Sequence, residues 1–345
     1  MTQANVILPA EWHRQDAVML TWPHRNTDWA DMLEAAENNF RQILLHIGRH
    51  QPVIVACDPA VDVASIETLA HSVPHPVFVF SAASNDTWAR DHGPVTVYAG
   101  GQPILRDFTF NAWGGKFEST LDNAITRTLH QQGAFDGTPL DTVDFVLEGG
   151  GIESDGQGTL LVTSECLLAP TRNPGLDKRG IESVLADKLG AQRVLWLDHG
   201  YLAGDDTDSH IDTLARFCSP DTIAYVACDD PEDEHFEALA AMKAQLETFC
   251  TVDGTPYNLV PLPWPDACYS EDGERLPATY ANFLVINEAV LVPTYGVPQD
   301  EAALTIFREL FPDRAIEAIN CRTLIEQHGS LHCVTMQIPE GVLPQ

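Results

Sequence analysis

The stretch TLARFCSPDTIAYVACDD, residues 213–230, reads as two short apolar strands joined at Ser219-Pro220-Asp221, a composition that favours a tight turn. After it the pattern changes. A helix is expected to begin near Pro231, because three acids follow among the next four residues and acids suit a helix N-terminus. NLVPLP, residues 258–263, then reads as a returning strand, so the whole segment is a strand, strand, helix, strand module.

Working outward, the same order recurs. One copy is FLVIN (283–287), AVLVPTYG (289–296), a helix over 299–310 and AIEAIN (315–320). Another is FVLEGGGI (145–152) and TLLVTS (159–164) around an Asp155-Gly156 turn, a helix over 177–189 and RVLWLD (193–198). A rougher copy follows WARDHGP (88–94), with VTVYAG (95–100), ILRDFTF (104–110), a helix over 121–131 and TVDFV (142–146). Near the start, AVMLTW (17–22) and PVIVAC (52–57) flank a helix over 28–50, where Leu33, Phe40, Ile43, Leu44 and Ile47 keep helical spacing, but no leading strand precedes them. LHCVTMQIP (331–339) is a strand with no helix after it, and joining the two ends completes a fifth copy.

The predicted fold is therefore α/β: a closed, five-bladed pseudo-symmetric propeller of ββαβ modules, each of roughly 60 to 70 residues, with the termini meeting in one module. With no linker or low-complexity stretch, residues 1–345 are expected to form a single domain whose first module is completed by the C-terminal strand.

Composition narrows the partners. Fifty acidic against 19 basic residues give a formal charge of −31. That argues against nucleic acid and anionic membrane surfaces as partners, since such binding rests on neutralising phosphates, and favours a small cationic molecule. No run of ~18 apolar residues is present and the first residues lack a signal-peptide pattern, so a cytoplasmic protein is expected. Self-association into a homo-oligomer is left open. The eight cysteines are scattered, with no CxxC pair, which indicates neither a zinc knuckle nor a disulfide framework.

Polar residues of interest fall near the leading strands: Asp91, Glu148, His210 with Asp212, and Cys333. In a closed ring those strands converge on the axis, so one acid-lined pocket containing a thiol and an imidazole is expected. Taken singly, Asp91 suits a turn or cap, Glu148 a strand end, His210 a solvated loop and Cys333 a strand core. Together they suit chemistry, because a cysteine nucleophile needs a base nearby and two further carboxylates suit a flat guanidinium. His210 and Asp212, two apart, would share a strand face, with Asp208 and Asp206 extending the row.

The chain resembles the agmatine deiminases and the related bacterial-type peptidylarginine deiminases, within the guanidine-modifying superfamily of five-bladed α/β propellers. The likeness rests on six ordered blocks: PAEWHRQDAVMLTWPHRNTDW (9–29), SNDTWARDHGPVTV (84–97), FNAWGGKF (110–117), LEGGGIESDGQGTLLVTSECLL (147–168) with Arg172-Asn173-Pro174 after it, DTDSHIDTLARF (206–217) and LHCVTMQIP (331–339). The resemblance implies that Cys333 attacks the guanidinium carbon, that His210 protonates the departing nitrogen and then activates water, and that Asp91 and Asp212 hold the guanidinium. Glu148 would hydrogen-bond or position His210 and the substrate. No metal or organic cofactor is implied. Trp113, Trp22 and Asp28 are candidates for the substrate's aliphatic stem and far end. The family usually carries a glycine-rich turn before its cysteine, whereas this chain reads His328-Gly329-Ser330, a departure that bears on substrate scope.

Two alternatives stand beside an agmatine-specific activity. Arginine or peptidylarginine are other guanidine substrates. A manganese ureohydrolase would instead use Asp206, Asp208, His210 and Asp212 as ligands and release urea.

Overall fold

The computed structural model describes residues 5–344, and the strand, strand, helix, strand order is its recurring unit. In the 213–263 module, Ala215–Ser219 pairs antiparallel with Thr222–Val226, which pairs parallel with Asn258–Leu262. A parallel neighbour needs a crossover. Helix Phe236–Leu246 supplies it, turning Leu239, Met242 and Leu246 inward. The same topology joins Leu284–Val285, Ala289–Thr294 and Ala315–Asn320 around helix Asp300–Leu310. It joins Ile152–Ser154, Thr159–Thr163 and Arg193–Leu197 around helix Lys178–Leu189. Val95–Ala99, Gln102–Thr109 and Leu140–Val146 repeat it around helix Asp122–Gln131, with Val6–Ile7 added at the edge.

In the remaining module Thr335–Pro339 pairs antiparallel with Gln15–Thr21, Thr335 opposite Leu20 and Ile338 opposite Ala17. The last strand thus completes the first module, as expected from the unmatched ends. Helix Leu33–Gly48 buries Ala36, Phe40, Ile43, Leu44 and Ile47 along one stripe, the spacing that a sheet-covering helix requires. Val53–Cys57 beside it is buried at every position, which explains its uninterrupted apolar run.

Several expectations are corrected. The helix expected near Pro231 starts at Phe236, because the Asp230 and Asp233 carboxylates accept from the amides of Glu232 and His235 and hold the intervening residues in turns. FVLEGGGI is not one strand: Leu140–Val146 closes the preceding sheet, Gly149–Gly151 forms a 3₁₀ turn, and only Ile152–Ser154 leads the next sheet. Helix Ala64–Ala70 and strand Val77–Ser81, the latter parallel to Val53–Cys57, add a fourth strand that the sequence reading did not assign.

The row from Asp206 to Asp212 is not a strand. Asp208 and Ser209 have φ of 64° and 60°, and Ile211–Thr213 is a 3₁₀ turn, so the alternation of side chains never forms. Finally, no sheet closes on itself among the described residues; there are five sheets of three or four strands and one two-stranded ribbon. What is observed is a mixed α/β chain of five like modules, which meet through side chains. Arg216, for instance, donates from one module to Glu153 of another and to the carbonyl of Phe283 in a third. No helix among the described residues is long and apolar enough to cross a membrane.

Candidate active site

Each module delivers its contribution from the same place, the turn ahead of its leading strand. Asp91 lies in the short helix Ala89–His92 before Val95–Ala99. Glu148 caps the Gly149–Gly151 turn before Ile152–Ser154, and His210 caps the Ile211–Thr213 turn, which contains Asp212, before Ala215–Ser219. Cys333 occupies the turn before Thr335–Pro339. Asn282, just before Leu284–Val285, is the fifth contribution. Sequence reading missed it, although its position relative to the strand repeats that of the other four.

These residues converge. A Cβ added to Gly150 would lie 2.6 Å from His210 Nδ1, 3.0 Å from Asp91 Oδ1 and 3.1 Å from Asp212 Oδ2, so the middle glycine of the EGGG segment is what lets the three groups approach. The Cys333 thiol donates to Asn282 Oδ1 at 3.4 Å and lies 3.9 Å from Asp212 Oδ2. Asp91 Oδ1 accepts from the Gly150 amide and Oδ2 from Trp113 Nε1, both at 3.0 Å. Two atoms in this cluster, His210 Nε2 and Asp212 Oδ1, are buried with no hydrogen-bond partner. Such groups are costly in a folded protein, and a polar ligand would satisfy them.

Electrostatically the two aspartates are pushed apart. Burial, then the charges of Asp212 and Glu148, raise Asp91 well above the usual carboxylate range. Burial also acts to raise Asp212, but the hydrogen bond and charge of His332, with His210 and Arg216, outweigh it and hold the group below its usual value. Burial pulls His210 down to about 3, so it is neutral near pH 7. Burial, followed by the charges of Asp212 and Asp91, raises the Cys333 thiol well above its ordinary range. In this state the thiol is protonated, a consequence of placing sulfur among carboxylates.

Glu148 does not hydrogen-bond His210. Both of its oxygens accept from Arg172 Nε at 3.0 Å, and Arg172 Nη1 also donates to Asp208 Oδ2 at 2.6 Å. Arg172 thereby ties the EGGG turn to the loop carrying His210. Glu148, Cys166 and His210 are the one group of donors among the described residues whose ligand atoms lie within 4.8 Å of one another. The Arg172 guanidinium already occupies the Glu148 oxygens, which opposes a cation there. Asp206 and Asp208 are not part of such a group: Asp208 is bound by Arg172 and by Lys116 Nζ at 2.7 Å. The manganese row therefore lacks its geometry.

Asp91 and Cys333 open onto a cavity of about 480 Å³. Six acids line it, Asp28, Asp86, Asp91, Glu118, Asp122 and Asp206, with no lysine or arginine among the described lining residues. Its apolar wall is Trp88, Phe110, Trp113 and Phe117. Asp28 and Trp113, named as candidates for the substrate's aliphatic stem and far end, both line this cavity. Trp22 is not: it is 1% exposed and packs edge-on against Phe40 in the core, so it is withdrawn as a stem contact. The His328-Gly329-Ser330 departure also lines the cavity in part. His328 is left-handed and bonds the Gly204 carbonyl through Nδ1, while a Cβ on Gly329 would fall 2.1 Å from the Trp88 ring. A second acidic pair, Asp86 and Asp122, was not anticipated; Asp86 N donates to the Asp122 carboxylate. A larger groove of about 990 Å³ lies elsewhere and contains no cysteine and none of the converging residues.

Comparison with known proteins bears on this arrangement. The family model described as Porphyromonas-type peptidyl-arginine deiminase matches residues 7–339. A solved Porphyromonas gingivalis structure described as "Putative Arginine Deiminase" is 51% identical with a TM-score of 0.91, over 97% of this chain and 99% of that one. A C. jejuni agmatine deiminase, a cysteine-to-serine variant with substrate bound, is 36% identical with a TM-score of 0.92, over 99% and 98%. A Yersinia pseudotuberculosis protein named "Putative agmatine deiminase" is 33% identical over 98% of this chain and 96% of its own length.

Proposed function

The chain belongs to the Porphyromonas-type peptidyl-arginine deiminase family, and we propose that it hydrolyses agmatine to N-carbamoylputrescine and ammonia through a covalent amidino-cysteine on Cys333. The observation that carries this reading is the cavity, lined by six acids and by no lysine or arginine among the described residues, that ends on a thiol. A site lined by that many acids, several of them held partly protonated by burial and by one another, favours a cation that offsets their repulsion, and agmatine carries two positive charges. Free arginine adds a carboxylate to an already acidic cavity, which argues against it. The shared-family relatives named agmatine deiminase support the same choice. The five like modules are read as five blades about one axis in a single domain, with the converging turns at its centre.

On this reading the guanidinium sits between Asp91 and the free Oδ1 of Asp212, and Trp113, held on Asp91, packs against the stem. The Asp86–Asp122 pair in the same cavity offers a place for the second ammonium. Bringing a cation beside Cys333 offsets the charges that hold its thiol protonated. Sulfur then forms a bond to the guanidinium carbon, the thiol proton passes by way of neutral His210 to the leaving nitrogen, and ammonia departs with the broken C–N bond. His210 next takes a proton from water as the oxygen adds to the amidino carbon. The C–S bond breaks, the thiol regains a proton, and one proton is released overall to ammonia. Glu148, bonded to Arg172, fixes the turn beneath His210.

Rapid acid quench with agmatine, followed by peptide mass analysis, tests the covalent step. The expected result is an adduct of the amidino fragment with its alkyl amine on the Cys333 peptide. Turnover with no such adduct at any quench time, or an adduct on another cysteine, contradicts the mechanism.

A further inference from the structure

Asp212 uses its two oxygens differently. Oδ1 has no partner, whereas Oδ2 lies 2.7 Å from His332 Nδ1. The other ring nitrogen of His332 lies 2.6 Å from Glu11 Oε2. Glu11 is held in turn: its Oε1 accepts from the Val285 amide at 2.7 Å, and Arg216 Nη2 and Arg90 Nη2 stand 3.0 and 3.6 Å from Oε2. All of these side chains are buried. The His332 amide also donates to Asn282 Oδ1 at 2.8 Å, the same oxygen that faces the Cys333 thiol. One residue therefore links the thiol-bearing turn, the Asp212 carboxylate through its Oδ2, and a fixed charge cluster behind them.

Proton counting sharpens this. Both gaps lie between a ring nitrogen and a carboxylate oxygen, and each needs one hydrogen. A neutral imidazole has only one N–H, so Glu11, His332 and Asp212 must hold two protons among three groups, titrating as a unit. Burial, then Arg216 and Arg90, oppose charge on the ring, while the two carboxylates favour it. The arrangement holds Asp212 through Oδ2, which also stands 3.9 Å from the Cys333 thiol, and so fixes the direction in which Oδ1 points.

We propose that His332 is a positioning residue for substrate, holding Asp212 so that Oδ1 faces the guanidinium, with Glu11 fixing His332 from the far side. This rests on the reading of Asp212 as a guanidinium ligand. A side chain that only filled space would affect stability; one that aims Asp212 affects substrate affinity through a single donor at the Nδ1 position.

Steady-state kinetics with agmatine on the full chain and on His332→Ala, His332→Asn and His332→Gln tests it, with Tm measured on each. An Asn amide reaches the Nδ1 position and keeps the donor to Asp212; a Gln amide reaches the Nε2 position and faces Glu11. The expected result is a KM raised roughly 10- to 100-fold in the Ala and Gln variants, with kcat falling less and the Asn variant recovering most of the loss. An active parent whose Asn variant is no better than Gln overturns the inference, as does an Ala variant with unchanged KM and lowered Tm alone. If Ala does not fold, the Asn and Gln pair still decides. A parent that turns over no guanidine removes the reading of Asp212 itself and is distinguishable from either result.

Discussion

Two charged regions meet at Asp212, and they are built on opposite principles. Behind it, Glu11, His332, Arg90, Arg216 and Glu153 form a cluster in which acids face bases; Arg216 Nε donates to Glu153 at 2.6 Å and Nη2 stands 3.0 Å from Glu11. In front, Asp91 and Cys333, beside which Asp212 lies buried, open onto a cavity with further acids and no arginine or lysine in its described lining. The rear sets acids against bases, Arg216 Nη2 and Arg90 Nη2 standing by Glu11 as ion pairs although neither makes a hydrogen bond. The front leaves Asp212 Oδ1 and His210 Nε2 unpaired and pushes Asp91 upward. A buried charge cluster without its counter-charge is expensive unless something else brings it. On the proposed reading the difference is one of purpose: the rear holds the structure, and the front would seat a cation.

Substitution on each side should break the comparison if it is wrong. Asp212→Asn is expected to lower kcat/KM about 10²- to 10³-fold, the scale of removing one preorganised charged contact, as read from agmatine saturation curves. Arg216→Met leaves Glu11 and Glu153 without their partner and is expected to cost about 3–5 kcal/mol in urea unfolding, with the larger effect on stability rather than on turnover. Equal stability losses from both variants would mean that the two regions do not differ in kind.

A smaller effect sharpens the picture of the cavity. Burial, then Asp122 and Asp28, raise Asp86 to about 7. Below that pH the native carboxyl holds a proton that the unfolded chain has released, so stability falls as pH rises from the ordinary carboxylate range through about 7. Over the last part of that window Asp86 becomes an anion. The KM for agmatine should therefore fall roughly two- to fivefold as pH rises across 7. Asp86→Asn should weaken both dependences, leaving the part that belongs to Asp122, which burial also raises to about 7. A KM profile identical in the variant would remove Asp86 from substrate binding.

The modular fold was legible because each module repeats a local pattern: a turn signal, two short apolar runs and an amphipathic helix. The five candidate residues named near the leading strands could be picked out for the same reason, since Asp91, Glu148, His210, Asp212 and Cys333 all lie in turns of equivalent position. What failed was local detail with a non-local cause. Trp22 looked like part of a substrate wall, but its ring is buried against Phe40 of the adjoining helix. The Asp206–Asp212 alternation looked like a strand face, yet Lys116 and Arg172, distant in sequence, pin Asp208 in a left-handed loop. The rear cluster was invisible because Glu11 and His332 stand 321 residues apart and no periodicity connects them.

The central claim is that the Cys333 thiol, rather than a bound metal, breaks a C–N bond to release ammonia. It is tested most directly by incubating chelator-treated protein with agmatine and assaying ammonia and urea, beside a Cys333→Ser control. The account predicts ammonia without urea, unaffected by the chelator and absent with Cys333→Ser. Urea that vanishes on chelation, or ammonia that survives the serine substitution, would contradict it.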